Sequence, residues 1–244
     1  MTYVIAEAGV NHNGDMIKAC RMVDVAAAAG ADAVKFQAFN SDKLGRTMLK
    51  PYEFNLKQFE YLAGRCWKRG IHFLCSAFDI QWLTAIDPLV MAHKIPSSKL
   101  TDNVYLSVCG ALGKPIYMST GLSDCNEIQD AIYDIGDCPL TILHCTTDYP
   151  PEMEDLNLSC IDTLRNQFHV DIGYSDHTMG NAASTMAVAL GATIIEKHFT
   201  LSRESEGPDQ HMSIEPEELR QFIQSVRYAE EMLGDGIIRV EKGA

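Results

Sequence analysis

Two short stretches concentrate side chains able to do chemistry: Gly173-Tyr174-Ser175-Asp176-His177-Thr178 and Glu196-Lys197-His198-Phe199-Thr200. Each follows a run that reads as a β-strand, 170–173 before the first and 192–195 before the second. Between them, residues 182–190 form a small-residue helix of the length that a crossover between parallel strands needs. Two neighbouring parallel strands would present His177 and His198 at the same end of a sheet. Imidazoles placed so can share one divalent metal ion and leave its other positions open to water or substrate. The plainer reading is that each histidine bonds a loop carbonyl and caps a rim. Glu196 shares a strand face with His198, because side chains alternate with period two, and could orient the site; Lys197 points the other way.

Other strand ends carry charge as well. Lys35 and Gln37 share a face of one strand, and Lys94 ends another. The hydroxyls of Ser76, Ser97, Ser119 and Ser175 favour an anion clamp over a Schiff base, since phosphate oxygens accept many short hydrogen bonds. The competing reading is that these lysines pair with rim carboxylates. Glu7 interrupts the apolar run Val4-Ile5-Ala6-Glu7-Ala8-Gly9, where a carboxylate is costly to bury without a partner. It is either a general acid or base with a tuned pKa or the counter-ion of Lys35. Asn11-His12-Asn13-Gly14 reads as a turn into the first helix. Asp209 sits in a long loop of the kind that covers active sites, although Gly207-Pro208-Asp209 is also an ordinary turn sequence.

The elements that must position these residues alternate almost without a break. Strands are predicted at 3–8, 31–36, 71–76, 90–95, 115–119, 141–145, 171–173 and 193–197. Helices are predicted at 16–29, 56–68, 81–86, 103–112, 127–135, 156–167, 182–190 and 216–233, several of them stopping at a glycine. Eight β-α units are what a closed (β/α)8 barrel requires, so the chain reads as a single TIM barrel spanning 1–244. In such a barrel functional side chains gather at the strand C-termini. Here all eight ends are polar, the sixth carrying His144, Thr146, Thr147, Asp148 and Tyr149. A purely structural barrel has no need of that, and the chain reads as an enzyme.

Composition narrows the partners. A formal net charge of −13 argues against nucleic acid or an anionic membrane surface, and an anionic substrate would need lysines or arginines to converge locally. The eight cysteines form no C-x-x-C pair and several lie in apolar runs, where free thiols act as small core residues. No leader or membrane-spanning run is evident, so a reduced, cytoplasmic protein is expected.

Taken together, these residues resemble the sialic acid synthase family, the phosphoenolpyruvate-dependent synthases of nonulosonic acids. The matching stretches are Ile5-Ala6-Glu7-Ala8-Gly9-Val10-Asn11-His12-Asn13-Gly14 and Gly30-Ala31-Asp32-Ala33-Val34-Lys35-Phe36-Gln37. They continue through Lys94-Ile95-Pro96-Ser97, Ser119-Thr120-Gly121, Leu143-His144-Cys145-Thr146 and the two histidine patches, and the last of them extends to Asp209. The resemblance implies joining C3 of phosphoenolpyruvate to the aldehyde carbon of an open-chain N-acyl amino sugar, such as N-acetylmannosamine, with phosphate released by C–O cleavage. It implies that His177 and His198 hold Mn²⁺ or Mg²⁺ and that Glu7 assists proton transfer or stabilises a cationic intermediate. Lys35, Ser76, Lys94, Ser97, Ser119 and Ser175 would bind the carboxylate and phosphate of phosphoenolpyruvate. Gln37, Tyr149 and Asp209 would contact the sugar, with Glu196 also at the substrate site.

Three departures bear on specificity. Family members usually continue into a small antifreeze-like (SAF) domain whose arginine reaches the partner subunit's sugar, and this sequence ends at Ala244. A homodimer is expected, with a separate SAF-domain chain as a further possible partner. Lys99 stands where an acid commonly meets the sugar, which points to an acidic or otherwise altered acceptor, or to a weak site. Thr147 stands where some members have an asparagine near the phosphate. The alternatives are condensation with a non-acylated or acidic sugar, or a catalytically silent barrel that binds a sugar or a partner.

Overall fold

Eight parallel strands pair in chain order and β8 returns to β1, closing a barrel. In the computed structural model, which describes residues 1–238, the strands are β1 (Tyr3–Gly9), β2 (Ala33–Ala38), β3 (His72–Ala77), β4 (His93–Ile95), β5 (Ile116–Ser119), β6 (Leu140–His144), β7 (Asp171–Asp176) and β8 (Ile194–His198). The helices outside them are α1 (Met16–Ala29), α2 (Leu56–Arg69), α3 (Ile80–Ile86), α4 (Asn103–Ala111), α5 (Cys125–Ile135), α6 (Cys160–Phe168), α7 (Ala182–Ala189) and α8 (Pro216–Leu233). This is the TIM barrel that the alternation of elements implies.

The helices begin and end where local chemistry requires. Side chains of Asp15, Asn55, Asp79, Asp102 and Asp124 accept from backbone N–H groups in the first turns of α1 to α5, satisfying donors the helix itself leaves free. At their far ends α1 and α2 stop at Gly30 and Gly70, whose φ values of 89° and 73° are strained for a side-chain-bearing residue. Several boundaries shift by two or three residues, as at β2 and β4, and two differences bear on the site. β7 continues to Asp176, because Ser175 pairs with Glu196 and Asp176 with Lys197 on β8. α6 starts only at Cys160: Leu156 is buried in the core, and its carbonyl accepts from His144 Nε2 at 2.8 Å instead of starting a helix.

Apolar packing has two parts. The larger cluster fills the layer between strands and helices. A small one inside the barrel comprises Ile5, Ala33, Leu74, Ala92, Leu143 and Ile194, with Tyr3 and Tyr117 against it. Side chains on a strand return to the same face after two residues. Two positions toward the C-terminus from this floor stand Glu7, Lys35, Ser76, Lys94, Cys145 and Glu196, and from Tyr117 the same step reaches Ser119. The interior thus changes from apolar to polar in a single layer. A further step of two brings Gly9, Gln37, Gly121, Thr147, His177 and His198 to the barrel mouth.

Gly173 occupies the floor position on β7. A Cβ built there would lie 2.5 Å from Leu143 Cδ2 and 2.7 Å from the Ile194 carbonyl oxygen, so neighbouring strands already fill that space. Gly173→Ala should therefore overpack the floor and cost roughly 1–3 kcal/mol in chemical denaturation; an unchanged midpoint would show that the floor has slack.

Candidate active site

Four buried charges form the centre of the polar layer. Lys35 Nζ lies 2.7 Å from Glu196 Oε2 and 3.5 Å from Glu7 Oε2, and Lys94 Nζ lies 3.7 Å from Glu196 Oε1. All four residues are at most 4 % exposed. The serines complete the set: Lys35 donates to Ser76 Oγ at 3.3 Å, Lys94 to Ser119 Oγ at 2.8 Å, and Ser175 to Glu196 Oε1 at 2.9 Å. Gln37 Nε2 donates to Glu7 Oε1 at 3.1 Å. Of the two sequence-based readings of the lysines, counter-ion pairing is visible here, and it occurs inside the barrel with hydroxyls gathered around the ammoniums. Glu196 is the carboxylate both lysines share and touches neither histidine by a hydrogen bond.

The two glutamates respond oppositely to burial. Burial pushes the Glu7 carboxyl up to about 8, with Lys35 only partly opposing it. Burial acts on Glu196 in the same sense, but Lys35 and Lys94 together outweigh it and hold this carboxyl well below the usual range. Burial lowers Lys94 to about 8 against the pull of Glu196, whereas Lys35, equally buried, is raised because Glu196 and Glu7 outweigh the burial. At neutral pH the cluster therefore holds two ammoniums, one carboxylate and a mostly protonated Glu7, a net positive pocket in an acidic protein.

The histidines stand one layer above. His177 Nδ1 is 2.7 Å from the Thr146 carbonyl oxygen. A carbonyl can only accept, so the ring proton is on Nδ1 and Nε2 keeps its lone pair. Nε2 lies 3.4 Å from Ser175 Oγ. The His198 ring is 5.9 Å away, centroid to centroid, and its buried Nδ1 has no hydrogen-bond partner. Burial holds both imidazoles neutral, His198 well below its usual value with His177 adding to the effect. Neutral rings with an uncommitted nitrogen suit a divalent metal. Among the described residues no group of three or more His, Cys, Asp or Glu is placed to hold a metal ion; His177 and His198 are the pair of imidazoles here that could hold one between them.

A cavity of about 350 Å³ opens above this layer, lined by Gln37, Tyr149, His198 and Asp209 among the expected residues. The Tyr149 ring lies 4.2 Å from the His177 ring and 6.2 Å from His198, covering both. Asp209 meets Gln37 and Glu7 around the space a Gly9 side chain would fill: a Cβ there would be 3.3 Å from Asp209 Oδ2, 3.3 Å from Gln37 Nε2 and 3.5 Å from Glu7 Oε1. Burial raises the Asp209 carboxyl to about 6. Ser97 stands to one side, its Oγ accepting from Gly121 N at 3.0 Å beside Cys145 Sγ at 3.4 Å. Nearby, the buried Thr147 hydroxyl has no partner and would lie 2.4 Å from a Cβ on Gly121. These groups leave a small corner with a free hydroxyl.

The turn Asn11-His12-Asn13-Gly14 acts from behind. Asn11 Nδ2 donates to the Phe199 carbonyl at 2.8 Å and to Ser213 Oγ at 2.9 Å; Gln210 Nε2 donates to Asn11 O and Asn13 Oδ1, each at 3.0 Å. Ser213 Oγ in turn donates to the Asp209 carbonyl at 2.6 Å. The turn thus fixes the loop that carries Asp209. His12 is sandwiched near Phe54 and Phe36, away from the cavity, and burial lowers it to about 4.

The Lys99 ammonium is 3.0 Å from Asp102 Oδ2 and 5.5 Å from the centre of the Tyr105 ring, and Lys99 is not among the residues that line this cavity. Sequence reasoning missed Arg46, Leu49, His211 and Met212, which line the outer cavity. Leu49, His211 and Met212 lie in short 3-10 turns and Arg46 just before one, within the connections after β2 and β8; the one available signal was that loops after β-strands form the functional face of such barrels.

Comparison with known proteins agrees with this geometry. The NeuB family model matches residues 45–238. The N,N'-diacetyllegionaminic acid synthase of Campylobacter jejuni is 38% identical, the alignment covering 99% of this chain and 80% of that protein. The N-acetylneuraminate-9-phosphate synthase of Homo sapiens is 34% identical over 95% of this chain and 71% of its own length. Among solved structures, the N-acetylneuraminic acid (sialic acid) synthetase of Leptospira borgpetersenii superposes with a TM-score of 0.94 at 37% identity, covering 98% of this chain and 87% of that one. By sequence and by fold, this chain belongs to the NeuB family and is an enzyme of the acid-synthase type.

Proposed function

We propose that this barrel condenses phosphoenolpyruvate with an open-chain N-acyl amino sugar, in the cytoplasm, and releases inorganic phosphate. C3 of phosphoenolpyruvate bonds to the aldehyde carbon, the aldehyde oxygen takes a proton, water adds at C2, and the C2–O bond to phosphate breaks to leave a 2-keto acid. The observation that carries this reading is the net positive cluster of Lys35 and Lys94, ringed by Ser76, Ser119 and Ser175, one layer beneath His177 and His198, the latter with an unpartnered ring nitrogen. The lysines and hydroxyls suit the carboxylate and phosphate of a small trianion. The hydroxyls of Ser97 and of Thr147, the latter unpartnered, offer further donors at one side.

Glu7 is held mostly neutral at pH 7 by burial, so it can deliver a proton in the reaction and take one back. His177 and His198 would hold a divalent ion, Mn²⁺ or Mg²⁺, whose chemistry is Lewis-acid polarisation of an aldehyde oxygen. Gln37, Tyr149 and Asp209 face the cavity where the sugar would lie. Farther out, Arg46 stands in the same wall as Leu49 and Met212, a mixed surface suited to an acyl carbonyl and its methyl group. Active NeuB-type barrels are expected to associate as homodimers, and a separate SAF-domain chain remains compatible with this reading.

Phosphate release should require phosphoenolpyruvate, N-acetylmannosamine or a related N-acyl amino sugar, and Mn²⁺ together. His177→Ala should reduce it by roughly a thousandfold, the equivalent of several kcal/mol of lost stabilisation. Metal-independent release at the wild-type rate would overturn the role given to the histidines.

Affinity for phosphoenolpyruvate should fall above pH 8. Glu7 becomes charged and Lys94 loses its charge near that value, so two ammoniums and one carboxylate give way to one ammonium and two carboxylates. Calorimetric titration between about pH 6.5 and 9.5 should show the fall, and Glu7→Gln should make it shallower. A flat profile would mean that the anion does not contact this cluster.

A further inference from the structure

Asp176 and Lys197 face each other in the β7–β8 register, one position after the Ser175–Glu196 pair and one before the histidines. By alternation they point away from the barrel interior, toward the helices. Both are nearly inaccessible, at 0 % and 2 % exposure. Asp176 Oδ1 accepts from Thr178 N at 2.8 Å and from Thr178 Oγ1 at 2.7 Å, which closes a turn around His177. Its Oδ2 accepts from Ser184 Oγ at 2.5 Å and faces Lys197 Nζ at 3.0 Å. Lys197 Nζ also donates to the Thr178 carbonyl at 2.5 Å, with Thr178 Oγ1 at 3.4 Å and the Phe222 ring centre at 5.6 Å.

An isolated buried ion pair is a poor source of stability, because desolvation offsets most of the attraction. Beyond the Thr178 and Ser184 groups that they bind, the Phe222 ring lies beside Lys197, and Phe222 belongs to the apolar core. What the charges supply is position. Asp176 grips the main chain just after His177, and Lys197, adjacent to His198, grips the same residue from the other strand. The His177–Thr146 bond sets the rotation of one ring but not the separation of the two strand ends.

We infer that the buried Asp176–Lys197 pair is a positioning device that sets the relation between His177 and His198 through Thr178. This rests on the reading that the two histidines act jointly on a divalent ion. Partners behind metal-binding histidines commonly change metal affinity by about 10–100-fold when removed.

The test is Mn²⁺ binding, followed by the electron paramagnetic resonance of free Mn²⁺, in the full chain and in Asp176→Asn/Lys197→Met, which removes both charges without stranding either. Thermal unfolding is recorded in parallel. The double variant should melt cooperatively, bind Mn²⁺ about tenfold or more weakly, and lose kcat about tenfold while its KM for phosphoenolpyruvate stays within about twofold. Mn²⁺ affinity within twofold of wild type in the folded variant would overturn the inference. If the double variant does not fold, Ser184→Ala decides: a loss of about threefold in Mn²⁺ affinity supports positioning, and no change overturns it. A wild-type chain that binds no Mn²⁺ would overturn the joint histidine site and this inference with it, whereas wild-type binding insensitive to the pair overturns the inference alone.

Discussion

Glu196 balances two lysines that could not otherwise stay charged inside the barrel. Lys35 lies 2.7 Å and Lys94 3.7 Å from its carboxylate, with water almost wholly excluded. Burying an ammonium without a partner would drive it to neutrality, and a neutral lysine pair could not hold an anion. With one shared carboxylate and a second, Glu7, kept mostly protonated by the same burial, the cluster retains a positive surplus. The protein's overall charge of −13 makes that local surplus necessary for an anionic substrate.

The rest of the fold supports this arrangement. Beneath it, the small apolar floor from Ile5 to Ile194 keeps water from entering below. The strand period of two then lifts each chain from floor to charge to mouth, so that one register error would exchange the inner and outer faces. Behind the mouth, Asn11, Asn13 and Gln210 hold the Asp209 loop, and Asp176 with Lys197 ties the ends of the two histidine strands. In this design polar atoms outside the cavity hold polar atoms within it.

Much of this was legible in the sequence. Alternating elements gave eight strands and eight helices in the right order, and glycines marked several helix ends. Glu7 and Lys35 were suspected as partners because a carboxylate in an apolar strand requires one, and they lie 3.5 Å apart. The closer pairing of Lys35 with Glu196 was not legible, since barrel closure brings β8 beside β1 and no local pattern encodes that distance. The pairing of Lys99 with Asp102, three residues on, was not read from the sequence either. Arg46 was missed because its place in the wall depends on how a nonperiodic loop folds over the mouth. The start of α6 was misplaced because the bond from His144 to Leu156 is a contact between distant residues.

The central claim is that one anionic substrate is held by Lys35 and Lys94 directly beneath a divalent ion on His177 and His198. The most direct measurement is a crystal structure of this chain grown with phosphoenolpyruvate and Mn²⁺, with anomalous scattering recorded at the manganese edge. The account predicts an anomalous peak bonded to both histidines and ligand density in contact with both lysine ammoniums. A manganese peak elsewhere, or phosphoenolpyruvate bound away from Lys35 and Lys94, would contradict it.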